Sequence, residues 1–434
     1  MVAVSVTLHA MPPVITPRAV PASGPRRLAV LGAGPVGLEC ALYAARLGYD
    51  VSVYEAGEVA QHLLEWGHTR MFSPWQMNVS ALGLRALAGG AKAASFPAAE
   101  CPGGREFRER YLLPLAASRP LAGRVQARTR VVGVGRERVL KTELIGSPER
   151  AAHPFRILLS SPAGGERIAG ADVVVDATGV FSCHNWMGNG GLPAPGERAL
   201  EARIDYGLPD ISGADSARFA GRRTLVVGSG HSAATSVAAL CVLAARAPGT
   251  SVLWVVRGEG RDPYAPIAGD PLPARAALAE RAARVLGGAD PAVACLAGWT
   301  IEEVREAGGG ELEVTLSRRA EERRERVGRI VANVGYRPER SLYEELQFHE
   351  CYATQGPIKL AAALLGETSG DCLAQKGHGP EALRNPEPDF FVLGAKSYGR
   401  NPNFLLSVGR AQVRELFQAL ERDAGLDLYA AEAA

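Results

Sequence analysis

Long hydrophobic runs are absent from this sequence of 434 residues. No stretch approaches the roughly 18 consecutive apolar residues that a membrane-spanning helix requires, so we expect no membrane partner. Charge of one sign is not in excess either, because 48 Lys and Arg residues against 46 Asp and Glu residues leave a formal net charge of +2. This near balance gives no electrostatic reason to expect binding to nucleic acid or to an anionic membrane.

Cysteine is scarce and follows no pattern. The seven cysteines form no Cys-x-x-Cys pair and no Cys/His array, so we expect no metal site. Their odd number and scattered positions fit a reducing compartment better than a disulfide framework. The first 26 residues lack a basic segment followed by a sustained apolar run, which favours a flexible tail over a signal peptide. The sequence therefore predicts a cytoplasmic protein.

A strand–turn–helix pattern begins at residue 27, where a short apolar run leads into Gly32-Ala33-Gly34-Pro35-Val36-Gly37 and a helical stretch. The first glycine permits a tight turn, the second lets a pyrophosphate approach the backbone, and the third allows the helix to pack on the strand. The phosphates would meet free N–H groups at the positive end of the helix dipole. A second strand ends on an acid that can accept both ribose hydroxyls. The predicted dinucleotide contacts are Gly32, Gly34, Pro35, Val36, Gly37 and Glu55.

A second copy of the pattern begins at Arg223 and contains the turn Gly228-Ser229-Gly230-His231-Ser232-Ala233. Its second strand ends on Arg257 instead of an acid. A guanidinium at this place can bind a 2′-phosphate, which a carboxylate would repel, and Arg261 is a further candidate for the role. His231 is expected to cap the helix or to contact phosphate. The predicted NADPH contacts are Gly228, Gly230, His231, Ser232 and Arg257.

One acidic and one basic ribose site in the same chain point to FAD together with NADPH. The motifs between residues 27 and 421 resemble those of the two-dinucleotide-binding-domain flavoproteins, the superfamily of pyridine nucleotide-disulfide reductases and flavin-containing monooxygenases. Besides the two Gly-rich turns, they are Asp176–Gly179, Ala332–Tyr336 and the terminal strand that ends at Gly394. The resemblance implies an α/β fold with two Rossmann-like domains, the NADPH domain being inserted into the FAD domain. The expected boundaries are a flexible tail at 1–26, the first part of the FAD domain at 27–182, a linker and the inserted domain at 183–335, the C-terminal part of the FAD domain at 336–421, and a tail at 422–434.

The resemblance also implies roles for residues outside the two Gly-rich turns. Arg70 would contact FAD phosphate, and Trp75 would either wall the isoalloxazine ring or pack in the core. Gly179 marks a crossing between the domains. Gly394 and Lys396 would approach the flavin, with Lys396 or Arg400 reinforcing a helix N-terminus that faces the reduced ring. The alternative for the loop from 396 to 403 is an ordinary surface connection.

Two departures from the superfamily bear on the activity. Residues 56–70 contain no cysteine, so the redox-active pair of the disulfide reductases is missing there, and Cys351 and Cys372 are expected to be separate buried thiols. The monooxygenase fingerprint Phe-x-Gly-x-x-x-His is also missing before the second Gly-rich turn. We expect an FAD- and NADPH-dependent oxidoreductase that oxygenates a small nucleophilic substrate through a flavin hydroperoxide. The alternatives are a reductase that serves a quinone, a disulfide or a carrier protein, and a non-catalytic nucleotide sensor. A homodimer is possible, and no catalytic acid or base is identified.

Overall fold

The computed structural model describes residues 24–88, 95–259, 264–265, 267, 270–366 and 377–430. The predicted N-terminal tail and Arg261 and Cys372 thus lie wholly or largely outside the described residues. The strands are β1 Arg27–Leu31, β2 Asp50–Tyr54, β3 Val125–Gln126, β4 Arg130–Arg136, β5 Phe155–Ser161, β6 Gly165–Ala171, β7 Val173–Asp176, β8 Ile204–Asp205, β9 Arg223–Val227, β10 Ser251–Val256, β11 Val293–Ala297, β12 Thr300–Glu306, β13 Leu312–Arg318, β14 Glu321–Val327, β15 Arg329–Ala332 and β16 Phe390–Val392.

The helices that matter for the site follow the two Gly-rich turns and the last strand. Both turn helices carry apolar residues at helical spacing and bury them against the sheet beneath. The helices are α1 Pro35–Arg46, α2 His62–Glu65, α3 Trp75–Asn78, α4 Ala81–Ala88, α5 Gly104–Phe107, α6 Leu113–Ala117, α7 Ser216–Phe219, α8 His231–Ala244, α9 Pro273–Leu286, α10 Ile358–Gly366 and α11 Leu406–Glu421.

The first sheet has five parallel strands in the order β16-β7-β1-β2-β3. Its central strands are continuous apolar runs because helices or a second sheet cover both of their faces. Helix α1 packs on one face together with α11, and the rings of Tyr43 and Phe417 stack with their centroids 4.9 Å apart. This domain is therefore completed by a strand and a helix from the far end of the chain.

The second sheet has the order β11-β10-β9-β15-β8 and is also parallel. All of its strands lie between β7 and β16 in the sequence, so the second Rossmann-like unit is inserted into the first. The predicted fold class is confirmed. The predicted linker between 183 and the second Gly-rich turn includes a structured piece, because Ile204 and Asp205 form the edge strand β8 beside β15.

Each Rossmann-like unit carries a three-stranded antiparallel sheet that no sequence motif predicted. In the first unit β4, β5 and β6 cover the face of the sheet opposite α1, and β12, β13 and β14 do the same in the second. A buried cluster joins the first of these sheets to the segment before β16. There the fully buried Glu387 carboxylate accepts hydrogen bonds from Arg136 and Arg150 at distances of 2.7 to 3.0 Å.

The prediction of a C-terminal tail from residue 422 is wrong for the residues just after α11. Leu426, Leu428 and Tyr429 pack against the core of the first domain, and the backbone N–H of Leu428 donates to the Tyr43 hydroxyl at 3.0 Å. An ion pair between Arg414 and Asp427 fixes the same segment to α11. The chain folds back here because its apolar side chains are buried against the edge of the core between α1 and α11.

Candidate functional site

The first candidate site lies at the carboxyl edge of the first sheet, where three chain segments meet. Strand β7 lies between β1 and β16, and Asp176 is in register with both Leu31 and Val392. The Gly-rich turn, the turn at 177–179 and Gly394 therefore leave the sheet side by side. A Cβ on Gly394 would lie 3.4 Å from the Val36 side chain, which shows how closely the last segment approaches the first turn. Ligands of open α/β sheets bind at this edge.

Two of the three glycines in the first turn are required by the turn's own backbone. Gly32 has φ +97°, and a Cβ there would lie 2.8 Å from the Ala177 carbonyl oxygen. A Cβ on Gly37 would lie 2.0 Å from the Gly32 carbonyl oxygen, so only glycine lets α1 start so close to β1. Gly34 differs, because its φ is −77° and no protein atom lies within 4 Å of a Cβ placed on it. The protein itself gives no reason for glycine at position 34, whereas a closely approaching phosphate does.

The Glu55 carboxylate lies at the end of β2 and already holds the first turn. It accepts hydrogen bonds from the backbone N–H of Ala33 at 2.8 Å and from that of Gly57 at 3.0 Å. Each carboxylate oxygen has a second lone pair, so ribose hydroxyls can still donate to it. The contact between Glu55 and the ribose stays a prediction. The structure shows a second role for Glu55, which is to hold the backbone of the turn at Ala33.

The segment from Gly67 to Trp75 holds the two residues predicted to contact FAD from outside the turn. The exposed Arg70 donates to the Cys101 carbonyl oxygen at 2.9 Å, and its contact with FAD phosphate stays a prediction. Trp75 is 1% exposed. Its ring lies 4.5 Å from that of Phe96 and 5.9 Å from that of Phe107. This burial favours core packing over contact with the isoalloxazine ring, the two alternatives that the sequence left open.

Lys396 lies inside the protein and not on a surface loop. The segment Gly394–Tyr398 forms a short 3-10 turn in which Lys396, Ser397 and Tyr398 are buried. The Lys396 ammonium group donates to the Asp176 carboxylate at 2.6 Å and to the Thr178 hydroxyl at 3.0 Å. The surface-connection alternative is wrong for residues 396–399, which are buried, whereas Arg400 and Pro402 are exposed. Lys396 joins the last strand to the turn that contains Gly179. Gly179 itself has φ +73° and open space around a Cβ.

The second Gly-rich turn repeats the geometry of the first at the edge of the second sheet. Gly228 has φ +133°, and a Cβ there would lie 2.2 Å from the Asn333 carbonyl oxygen. Gly230 corresponds to Gly34, since its φ is −90° and no protein atom lies within 4 Å of a Cβ placed on it. The exposed residues His231 and Ser232 begin α8, and no side chain caps this helix. The predicted capping by His231 is thus not formed, and the phosphate contact remains the prediction.

His231 lies between an aromatic residue of each domain. Its ring is 5.5 Å from that of Phe72 in the first domain and 6.5 Å from that of Tyr264 in the second, both edge to face. Desolvation by the neighbouring side chains and the positive charge of Arg275 lower its pKa, which favours the neutral imidazole. A neutral ring at this place is suited to contact a nucleotide by packing and hydrogen bonding more than by charge.

Arg257 follows β10 directly and is exposed. It is the counterpart of Glu55, because each is the first residue after the second strand of its unit. No carboxylate of the described residues forms an ion pair with Arg257. Its guanidinium therefore keeps its donors for a ligand, and the contact with a 2′-phosphate stays a prediction.

Comparison with known proteins agrees with this geometry. The model of the pyridine nucleotide-disulphide oxidoreductase family matches residues 12–74. The bacillithiol disulfide reductase of Bacillus cereus superposes with a TM-score of 0.63 at 18% identity, covering 92% of this chain and 100% of that chain. The cadaverine monooxygenase DfoA of Erwinia amylovora, solved with FAD bound, gives 0.61 at 15% identity, covering 95% and 97%. The thioredoxin reductase of Lactococcus lactis gives 0.55 at 16%, covering 92% and 98%. No curated protein matches the sequence.

The chain has the two-dinucleotide-binding-domain flavoprotein fold. The resemblance inferred from the sequence motifs is thereby confirmed for the fold, which reductases and monooxygenases share. Within the described ranges, no helix has the length and apolar character needed to cross a bilayer. The same residues contain no group of three or more His, Cys, Asp or Glu side chains suited to a metal ion.

The cysteines of this flavoprotein fold are separate from one another wherever the structure describes them. Cys40, Cys101, Cys183, Cys241, Cys295 and Cys351 are all free thiols. Burial raises the pKa of the Cys40 thiol above its ordinary range and that of Cys241 to about 12, so neither is a ready thiolate. Cys351 is buried, as predicted, and Cys372, expected to be a separate buried thiol, lies outside the described residues.

Proposed function

We propose that the protein is an FAD- and NADPH-dependent oxidoreductase in which the N-terminal turn binds FAD and the inserted domain binds NADPH. The observation that carries this proposal is the pair Gly34 and Gly230. Both have ordinary negative φ, and both would direct a Cβ into space that no protein atom occupies. A glycine retained at the same place in both units is explained by a phosphate that must approach the backbone closely.

The surrounding residues fit the two cofactors. FAD would place its pyrophosphate at the uncapped start of α1, its ribose at Glu55, and its ring system toward the segments that Lys396 joins. NADPH would place its pyrophosphate at the start of α8 and its 2′-phosphate at Arg257. The cofactors supply hydride transfer, while the protein binds, orients and shields them.

For the finer activity we propose oxygenation of a small nucleophilic substrate. Residues 56–70 contain no cysteine, so the redox-active pair that disulfide reductases carry there is missing. The Erwinia amylovora protein with this fold is a cadaverine monooxygenase. Direct transfer from reduced flavin to oxygen needs no further redox residue in the protein.

A second candidate is the reduction of a low-molecular-weight disulfide. It is favoured by the Bacillus cereus bacillithiol disulfide reductase, which this chain matches over its full length. A small disulfide can reach the flavin directly, whereas a large protein substrate would require an extended docking surface.

Purified full-length protein tests the proposal in two stages. Protein reconstituted with FAD should be bleached by NADPH under anaerobic conditions, and more slowly by NADH at equal concentration. Absence of flavin binding, or bound flavin that neither nucleotide reduces, would contradict the oxidoreductase and favour a nucleotide sensor.

The second stage separates the two finer activities. The NADPH-reduced protein is mixed anaerobically with a small disulfide, and separately with oxygen in the presence of a panel of amines and thioethers. A monooxygenase should transfer ¹⁸O from labelled oxygen into one member of the panel. Catalytic reduction of the disulfide without oxygen would instead establish the second candidate.

A further inference from the structure

The chain crosses between the two domains after β7 (the first crossing) and again after β15 (the second crossing). A cavity of about 680 Å³ lies where these two segments meet the loop after β16. Its wall includes Cys183 from the first crossing, Arg337 and Arg340 from the second, and Arg400 from the last loop. The backbone N–H of Arg337 donates to the Cys183 carbonyl oxygen at 2.8 Å, so the two crossings are joined at this wall. None of the lining residues belongs to either Gly-rich turn. The cavity therefore lies outside both Gly-rich turns, and its lining residue Tyr343 borders Lys396, whose ammonium group is 5.2 Å from the Tyr343 ring centroid.

Most charged groups of this cavity already have partners. Arg340 forms an ion pair with Glu350. The Glu339 carboxylate accepts from the Ser341 backbone N–H at 2.8 Å and faces the Cys183 thiol at 3.5 Å. These interactions leave the positive charge of two arginines to be considered.

Arg337 and Arg400 have no carboxylate partner among the described residues. Arg400 donates to two neutral oxygens instead, the Gln355 side chain at 2.9 Å and the Asn185 side chain at 3.3 Å. Burial and the nearby positive charges of Arg337 and Arg340 lower the pKa of the Arg400 guanidinium. Two like charges thus line one cavity without forming an ion pair with the Glu339 or Glu344 carboxylates that line it too. Each guanidinium retains N–H groups that can donate.

We propose that this cavity binds a small dianion, either a dicarboxylate or a phosphate, between Arg337 and Arg400. A planar guanidinium donates two parallel hydrogen bonds to a carboxylate or a phosphate, and two guanidiniums match a ligand with two such charges. The volume of about 680 Å³ is within the range of small-molecule sites. A bound dianion would connect the second crossing to the last loop, and through Asn185 to the first crossing as well.

Thermal unfolding of the full-length protein tests the proposal without any assay of activity. Succinate and inorganic phosphate are added separately at matched ionic strength, with neutral succinamide as the control compound. At least one dianion should raise the melting temperature in a saturable way, because a ligand that binds only the native state stabilises it. The more effective of the two identifies the source of the charge, carboxylate or phosphate.

Two variants assign the effect to the cavity. Arg337→Gln and Arg400→Gln each remove one charge, and each should weaken binding by about 10- to 100-fold, the loss expected for one or two charge-assisted hydrogen bonds. The matched control is Arg284→Gln, since Arg284 is an exposed arginine of α9 that pairs with Glu280. The affinity of the Arg284→Gln variant for the dianion should equal that of the unsubstituted protein.

Alkylation of Cys183 provides a second readout in the same cavity. The quantity compared is the ratio of the alkylation rate with negatively charged iodoacetate to that with neutral iodoacetamide, measured by peptide mass spectrometry. This ratio should be higher at Cys183 than at Cys101. The preference should fall in Arg337→Gln and Arg400→Gln and in the presence of the bound dianion. Burial and Glu339 raise the pKa of the Cys183 thiol, so the comparison is made at mildly alkaline pH.

Three results would overturn the proposal. They are the absence of a saturable shift with either dianion, equal binding by both cavity variants and the control, and an iodoacetate preference at Cys183 that does not depend on the two arginines. If Arg337→Gln fails to fold, Arg400→Gln and the alkylation of the unsubstituted protein decide the question.

Discussion

The ammonium group of Lys396 lies 2.6 Å from the Asp176 carboxylate, and both side chains are fully buried. This pair connects the end of β7 to the turn after β16. The strands β7 and β16 are neighbours in the first sheet. Replacing Lys396 by Met should cost about 3–5 kcal/mol of unfolding free energy, because the Asp176 charge would be left buried without its partner. Urea unfolding followed by circular dichroism measures the loss. The double variant Asp176→Asn/Lys396→Met should recover part of it, whereas a loss below about 1 kcal/mol in the single variant would contradict the role of the pair.

Gly34 and Gly37 should respond differently to substitution. Gly34→Val should fold with a loss of no more than about 1 kcal/mol but fail to retain FAD, because the new side chain meets only the space proposed for pyrophosphate. Gly37→Ala should unfold at a lower temperature even without flavin, because its Cβ meets the Gly32 carbonyl oxygen at 2.0 Å. Flavin absorbance and thermal unfolding of the apoprotein measure the two effects. Normal flavin content in Gly34→Val would contradict the assignment of FAD to this turn.

Arg257 should distinguish NADPH from NADH. Arg257→Ala is expected to weaken NADPH binding about 10- to 100-fold, because one charge-assisted hydrogen bond contributes about 1.5–3 kcal/mol. NADH lacks the 2′-phosphate and should be nearly unaffected. Anaerobic flavin reduction at increasing nucleotide concentration measures both affinities. Equal losses for the two nucleotides would assign Arg257 to the fold or the pyrophosphate, and no loss for either would transfer the role to Arg261.

Glu39 should make stability depend on pH. Its carboxylate is buried in α1 and accepts hydrogen bonds from Tyr111 at 2.6 Å and Ser80 at 2.9 Å, and burial raises its pKa above the ordinary value. The folded state then binds the carboxyl proton of Glu39 more tightly than the unfolded state does. The contribution of protonated Glu39 to stability is therefore fully present below its unfolded pKa and is lost as pH rises through its folded pKa.

Glu39→Gln should therefore be more stable than the unsubstituted protein at neutral pH, with the difference shrinking toward acidic pH. The gain is about 1.4 kcal/mol for each unit by which folding raises the pKa. Urea midpoints measured from pH 5 to pH 8 give the profile, with the exposed Glu280→Gln as control. A profile parallel to that of the unsubstituted protein would show that Glu39 does not titrate in this range.

A thiol relay can be tested at Cys351 and Cys372, the two cysteines in the C-terminal part of the first domain. The double variant Cys351→Ser/Cys372→Ser should keep NADPH-dependent flavin reduction and turnover within about twofold, since no electron is expected to pass through sulfur. Stopped-flow flavin reduction and steady-state NADPH oxidation measure the two steps. Lost turnover with unchanged flavin reduction would favour the disulfide reductase.

The parts of the fold that follow from local sequence were predicted well. Both Gly-rich turns, their flanking strands and the order of the later motifs depend on short segments whose glycines and apolar runs are visible in the sequence. The loop from 396 to 403 was expected to lead into a helix, and α11 begins shortly after it, at Leu406. These elements were predictable because neighbouring residues alone determine their geometry.

The interactions between distant segments were not predictable in the same way. Nothing near Lys396 in the sequence indicates that its partner is Asp176, and the cluster of Arg136, Arg150 and Glu387 joins residues of opposite halves of the chain. One arginine among many carries no local signal of burial. Trp75 shows the same limit, because an aromatic residue after a polar loop is equally compatible with ligand contact and with a core.

The position of the last residues has a consequence for synthesis on the ribosome. Strand β16, helix α11 and the side chains of Leu426, Leu428 and Tyr429 belong to the sheet or core of the first domain, although they are translated after the inserted domain. The inserted domain has every strand of its sheet by residue 332. Folding as the chain emerges should thus begin with the middle of the polypeptide, reversing the usual order from the N-terminus. The N-terminal half-domain would wait, with its apolar face uncovered, until the ribosome has released the strand and helix that complete it.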